Sequence, residues 1–203
     1  MKKLVLLVAA VFSCLLPAAA GDAEIISKIE KSNSNVGNIE ASFSHRNVKN
    51  GKTSNFSGTY YYSGGKLAMV YTVDSEALVV NDSHLYLKHG KKVTKGDIRN
   101  NARMRGFAGT LINCIKGNIS AVAKDNNADW SLTQDSSSYV VTVKARKKAS
   151  KGYSKIVLRY RKSDCLLTGI TLEEFNGTVN EYKLSSPKTG GAIPVDVFKI
   201  PSK

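Results

Sequence analysis

Long apolar runs, cysteine, histidine and acidic charge are all scarce in this sequence. After Leu4–Leu16 no extended apolar stretch recurs, which excludes a multi-span helical membrane protein. Three cysteines in 203 residues exclude a disulfide-dense mini-protein. Only 16 acidic residues face 30 basic ones, so the chain carries +14. Hydrophobic residues make up 42% and charged residues 23%, which excludes a disordered chain, a collagen and a coiled coil. No GxSxG, HExxH, phosphate-binding glycine loop or CxxC is present. The three histidines form no ligand set: His84 and His89 are five apart, hence on opposite faces of a strand, and His45 stands alone. Asp82-Ser83-His84 cannot adopt triad geometry as chain neighbours. An enzyme, a metal site and a cofactor are therefore not expected.

The first twenty residues read as a targeting segment. Lys2 and Lys3 precede the apolar run, Pro17 breaks it, and Ala18-Ala19-Ala20 offers small residues for cleavage. This is the pattern of a secretory signal peptide over residues 1–20. A membrane anchor would need about 20 apolar residues, and a lipid-modified Cys14 would need a small residue where Phe12 stands. Cleavage leaves one domain, 21–203, with Cys114 and Cys165 as its cysteines. In an oxidising compartment these either pair or remain buried thiols.

Periodicity sets out the rest. Ile25, Ile26 and Ile29 form an apolar stripe over Asp22–Lys31, predicting a short amphipathic helix. Two-residue alternation then predicts five strands, around Ile39–Ser44, Phe56–Tyr62, Leu67–Val73, Leu78–Val80 and Leu85–Leu87. Asn50-Gly51, Gly64-Gly65 and Asn81-Asp82 supply turns. Over 97–124 the alternation stops, and Gly106, Gly109 and Gly117 predict short, interrupted helices. Strands resume at Trp130–Gln134, Ser138–Lys147, Tyr153–Arg161, Cys165–Phe175 and Thr178–Ser185, with a last short one at Asp196–Ile200. The expectation is a mainly β domain of about eleven antiparallel strands with a central helical insertion.

The inward set is rich and bulky. It comprises Phe43, Phe56, Tyr60, Tyr62, Met69 and Tyr71, then Leu78, Val80, Leu85 and Leu87, then Val141, Ile156, Leu158 and Ile170. One sheet face of this size must be covered. Either the sheet curls on itself, or the small helices partly fill its concavity as a plug and leave an apolar cavity. Two basic clusters stand out: Lys88, Lys91, Lys92 and Lys95, and Lys144, Arg146, Lys147, Lys148 and Lys151. They read as solvated faces, a nucleic-acid footprint or a docking face for anionic membrane; export disfavours nucleic acid.

The order of features resembles the periplasmic outer-membrane lipoprotein carriers, the LolA-like family. The signal peptide and Ile-rich helix are followed by Ile39-Glu40-Ala41-Ser42-Phe43, then Ser57-Gly58-Thr59-Tyr60-Tyr61-Tyr62, Lys66-Leu67-Ala68-Met69-Val70-Tyr71, Leu78-Val79-Val80-Asn81-Asp82 and Leu85-Tyr86. Strands over Asp164–Glu174 and Thr178–Leu184, ending in Asp196-Val197-Phe198, resemble the family's closing hairpin and final strand. The resemblance implies an incomplete β-barrel closed by helices over a cavity for acyl chains. It also implies partners: acylated lipoproteins, an inner-membrane releasing transporter and an outer-membrane receptor, with the carrier a monomer. The family latches its lid with an Arg of an Arg-Pro pair, where this chain has Gly64-Gly65. Here Phe107, Leu111, Ile112 and Ile115 are expected to hold the lid through apolar contacts, with the hydroxyls of Tyr60, Tyr61 and Tyr62 as candidate substitutes for the Arg. Lys88, Lys91, Lys92 and Lys95 are the expected docking residues. Two alternatives stay open: a lipid- or glycolipid-binding or sensor protein of the same fold, and a basic polyanion-binding adhesion protein.

Overall fold

The computed structural model describes residues 21–200; the signal peptide expected over 1–20 lies outside them. Eleven antiparallel strands form one sheet, ordered β6-β5-β4-β3-β2-β1-β11-β10-β9-β8-β7. The first meander is β1 (Asn38–Lys49), β2 (Lys52–Ser63), β3 (Lys66–Tyr71), β4 (Glu76–Val80), β5 (His84–His89) and β6 (Lys92–Asp97). The second is β7 (Ala128–Gln134), β8 (Ser138–Ala145), β9 (Tyr153–Arg161), β10 (Leu167–Glu174) and β11 (Val179–Thr189). The two meanders join where β1 pairs with β11, with Phe43 opposite Leu184 and His45 opposite Tyr182. β6 and β7 are left as unpaired edges, so the sheet is not closed into a barrel.

Three helices serve the inner face: α1 (Asp22–Ser34), α2 (Ala102–Ile115) and α3 (Ile119–Asp125). α2 and α3 connect the two edge strands, and α3 rests on β7 and β8. Leu85 of β5, Met69 of β3, Val141 of β8, Ile29 of α1 and Leu111 of α2 share one continuous apolar core. A sheet whose distant strands meet the same helices must curl around them. This is the incomplete barrel with a helical plug that the LolA-like resemblance implies.

Local chemistry explains the joints. Asn50 and Gly51 both have positive φ, as the tight β1–β2 hairpin requires. At Gly117 (φ +68°) the chain turns from α2 to α3, and a Cβ there would lie 2.7 Å from the Ile29 side chain. α1 therefore seats directly on that turn. Asn33, buried at the end of α1, donates from Nδ2 to the carbonyls of Ile29 (2.8 Å) and Cys165 (2.7 Å).

Three expectations are corrected. The first meander has six strands, because Lys92–Asp97 pairs with β5 although Lys92, Thr94 and Gly96 give its inner face no apolar alternation. Lysines on an exposed edge discourage further strand pairing. The segment expected as a final strand is a 3-10 turn, Val195–Phe198. It packs Phe198 on the outer face against Ala68, Val79 and Tyr86, where no strand edge offers hydrogen bonds. The insertion is also less broken than expected. α2 runs unbroken through Gly106 and Gly109, because burial of Ala108, Leu111, Cys114 and Ile115 outweighs about 1 kcal/mol of helix propensity lost per glycine.

Candidate functional site

The inward residues divide into three zones. The first is an apolar crevice of about 30 Å³ between α2 and the sheet, lined in part by Tyr60, Met69, Leu78, Leu111, Ile115 and Ile170. That volume holds about one water molecule, so the concavity is plugged. The second is an open cavity of about 630 Å³ between the N-terminal half of α2, β5–β6 and the start of β9. Leu85, Leu87, Met104, Phe107 and Tyr153 supply its apolar walls. Its volume falls within the roughly 300–1,000 Å³ typical of small-molecule sites. Phe107 lines both spaces and so forms the partition between them.

Residues Phe43, Tyr62, Val80, Val141, Ile156 and Leu158 are buried but line neither space. They fill the core beneath the site. The third zone is an aromatic box that the sequence did not disclose. His45, Phe56, Tyr71 and Tyr182 gather there, with His45 stacked on Tyr182 at 4.2 Å between centroids. His45 Nε2 donates to Asn180 Oδ1 (3.0 Å), and its Nδ1 accepts from the Tyr71 hydroxyl (3.1 Å). Burial lowers the His45 pKa against the smaller opposing effect of the Asn180 contact, and the ring is neutral. Register alone, Phe56 opposite His45 opposite Tyr182, could have found this cluster.

The plug is pinned at one end. Tyr160 of β9, fully buried, donates its hydroxyl to the Cys114 carbonyl in the last turn of α2 (2.7 Å). The candidate hydroxyls of Tyr60, Tyr61 and Tyr62 do not hold it: Tyr60 Oη is buried without a partner among the described residues, Tyr61 points to the outer face, and the Tyr62 hydroxyl meets the Gly65 backbone. Asn126 of the α3 cap donates to Thr110 Oγ1 (3.2 Å), tying the two helices together. Among the described residues, the N-terminal half of α2 bonds only locally, Met104 N–H to its Asn101 cap and Arg105 to the Arg99 carbonyl, while the Met104 side chain packs over Gly96 of β6. Leu111 and Ile115 are buried against the sheet, whereas Phe107 and Ile112 are half-buried.

Lysines 88, 91, 92 and 95 do not share one face. Lys88 and Lys95 stand on the outer side of the β5–β6 hairpin and Lys91 at its tip, while Lys92, opposite His89, lines the open cavity. Cys114 and Cys165 are both free and buried; burial raises the Cys114 pKa to about 12, which leaves an unreactive thiol. Among the described residues, no three His, Cys, Asp or Glu side chains gather closely enough for a metal ion. No helix among them is long and apolar enough to cross a membrane.

An open antiparallel sheet curled around a helical plug, with an apolar cavity at the plug's free end, defines the class of fold. No family model and no curated protein matches the sequence. Among solved structures, the chain is similar to an uncharacterized conserved protein from Thermus thermophilus (TM-score 0.52, 10% identity, 89% of this chain and 94% of that one). It is also similar to MucB (TM-score 0.51, 13% identity, 89% of this chain and 62% of that one). A LolA superfamily protein, NE2245 from Nitrosomonas europaea, aligns at a TM-score of 0.42 and 12% identity over 90% of this chain and 99% of that one.

Proposed function

We propose that the protein is a periplasmic carrier that takes the acyl chains of lipoproteins between α2 and the sheet, acting by binding rather than by bond chemistry. The observation that supports this reading is the open cavity separated by one side chain, Phe107, from the crevice along Met69, Leu78 and Ile170. Swinging Phe107 aside joins the two and extends an apolar path under the plug. Each buried CH₂ contributes about 0.8 kcal/mol relative to water, so an acyl anchor crosses water only inside such a path. Transfer from one apolar surface to another is nearly neutral, and the plug is displaced from its loosely held N-terminal end.

In this reading an inner-membrane transporter loads the carrier, an outer-membrane receptor unloads it, and Lys88, Lys91 and Lys95 steer it to anionic membrane. The test uses the mature chain with a triacylated lipoprotein and its deacylated form. A soluble one-to-one complex with the acylated form alone is expected. Equal association with both forms, or with neither, refutes the carrier. Copurified lipid, identified by mass spectrometry, distinguishes lipoprotein cargo from a free amphiphile.

A further inference from the structure

One lysine from each of the two basic clusters, about sixty residues apart in sequence, reaches the cavity mouth. Lys92 comes from the β5–β6 hairpin, Lys151 from the loop entering β9, and Arg103 from the first turn of α2; all three line the 630 Å³ cavity. The same rim holds two carboxylates, Asp125 and Glu174, and each has a local donor. Asp125 accepts from Asn113 (3.3 Å) and Glu174 from Asn176 (2.9 Å). No carboxylate pairs with the three cations among the described residues, whereas Arg99, Arg146, Arg159 and Arg161 each pair with an aspartate. Three cations without a carboxylate partner among the described residues thus share the entrance to an apolar space with two carboxylates, which leaves the rim net positive.

We infer that the cavity selects amphiphiles with an anionic headgroup, the oxyanion held by Lys92, Arg103 and Lys151 and the acyl chain directed past Phe107. This rests on the reading of the cavity as an acyl-chain site and adds to it a free anionic amphiphile as a ligand, since a lipoprotein's acyl anchor carries no such headgroup. The headgroup chemistry is that of a phosphate or a carboxylate bonded next to a single alkyl chain. Arg103 offers a planar fork suited to two oxygens, and the lysines offer point charges. Because Arg103 lies in the first turn of α2, a bound headgroup also ties that end of the helix to β6 and to the loop entering β9, across the entrance. Headgroup binding and plug position are therefore coupled.

The experiment measures calorimetric affinities of the mature chain for three probes of one chain length: dodecyl phosphate, laurate and neutral dodecyl maltoside. The parent is compared with the triple variant Lys92→Gln, Arg103→Gln, Lys151→Gln, whose positions are exposed. Anionic probes are expected to bind the parent roughly tenfold more tightly than the maltoside, a preference that shrinks with added salt. The triple variant should lose that preference and keep its affinity for the maltoside. Phosphate above laurate assigns a phosphate headgroup, and the reverse order a carboxylate. Equal affinity of the parent for charged and neutral probes overturns the inference but leaves the carrier standing. No binding of any probe overturns both.

Discussion

Leu78 and Leu87 are direct cross-strand partners on β4 and β5, yet they face different surroundings. Leu78 is 6% exposed and borders the closed crevice, whereas Leu87 is half-buried and borders the open cavity. A carboxylate at either position therefore reports which part of the concavity is filled. Leu78→Glu removes a packed side chain, about 2–5 kcal/mol by large-to-small comparison, and buries a carboxyl with no room for hydration. A loss of about 4 kcal/mol corresponds to a melting point roughly 8–16 °C lower for a domain of this size. Burial raises the carboxyl pKa in the folded state, so the deficit is full near neutral pH. It shrinks as the pH falls toward the unfolded value of about 4.3. Leu87→Glu, whose carboxylate stays hydrated in the open cavity, should melt within about 3 °C of the parent, but lose uptake of a fluorescent acyl probe at least tenfold. Differential scanning calorimetry from pH 4 to 7 alongside the uptake assay measures both. If Leu78→Glu melts with the parent at pH 7, the interior is an open, wet concavity and the division into zones is wrong.

Four further outcomes follow from the geometry. Gly58→Ala places a Cβ 2.1 Å from the Val70 carbonyl oxygen and 2.8 Å from the Phe43 ring; it should cost about 1–3 kcal/mol as overpacking, read by urea denaturation. Tyr160→Phe removes the bond to the Cys114 carbonyl, and a loss of about 1–3 kcal/mol is expected, with faster amide exchange in α2 than in β9. Phe107→Ala joins the crevice to the open cavity and should speed acyl uptake in stopped-flow fluorescence while leaving the sheet strands' exchange protection unchanged. Because His45 is held neutral with a depressed pKa, it contributes stability above pH about 6.5 that falls away as the pH drops through the folded pKa. The parent's stability should therefore decline below pH 6.5, and His45→Asn should flatten that decline.

Where the chain's own alternation carried the signal, the sequence was readable. Tyr60 and Tyr62 do point inward, and Asn50-Gly51 and Gly64-Gly65 do turn the chain. β6 was hidden because an edge strand takes its hydrogen bonds from β5 and needs no apolar face of its own. Phe198 looked like strand because an apolar residue packing on a sheet face has the same composition as one within it. The crevice residues were nameable in advance, but whether they lined a void or a plug depended on how far α2 descends. That distance is set by contacts such as Leu111 and Ile115 against the sheet, between segments remote in sequence. Lys92 and Lys151 were visible as separate clusters, and only the curl of the sheet brings them to one rim.

In the proposed carrier, the plug's asymmetry sets how the cavity would open and load. Its C-terminal end is fixed by the Tyr160 bond, by buried Leu111, Cys114 and Ile115, and by the Gly117 turn seated on Ile29. Its N-terminal end carries exposed residues, Gly106 whose Cβ position meets no other atom within 4 Å, and the partition Phe107. A helix fixed at one end opens by tilting at the other, and here the free end is the one that borders the cavity. Under the proposed function, opening would expose Met69, Leu78 and Ile170 progressively rather than all at once, with the entering chain replacing the contacts Phe107 gives up. Lids of this kind are drawn from the least stable part of a structure. A latch at the free end would have to break before loading, whereas a latch at the fixed end can stay formed throughout. That is the physical consequence of holding the helix through Tyr160 while Gly64-Gly65 carries no arginine.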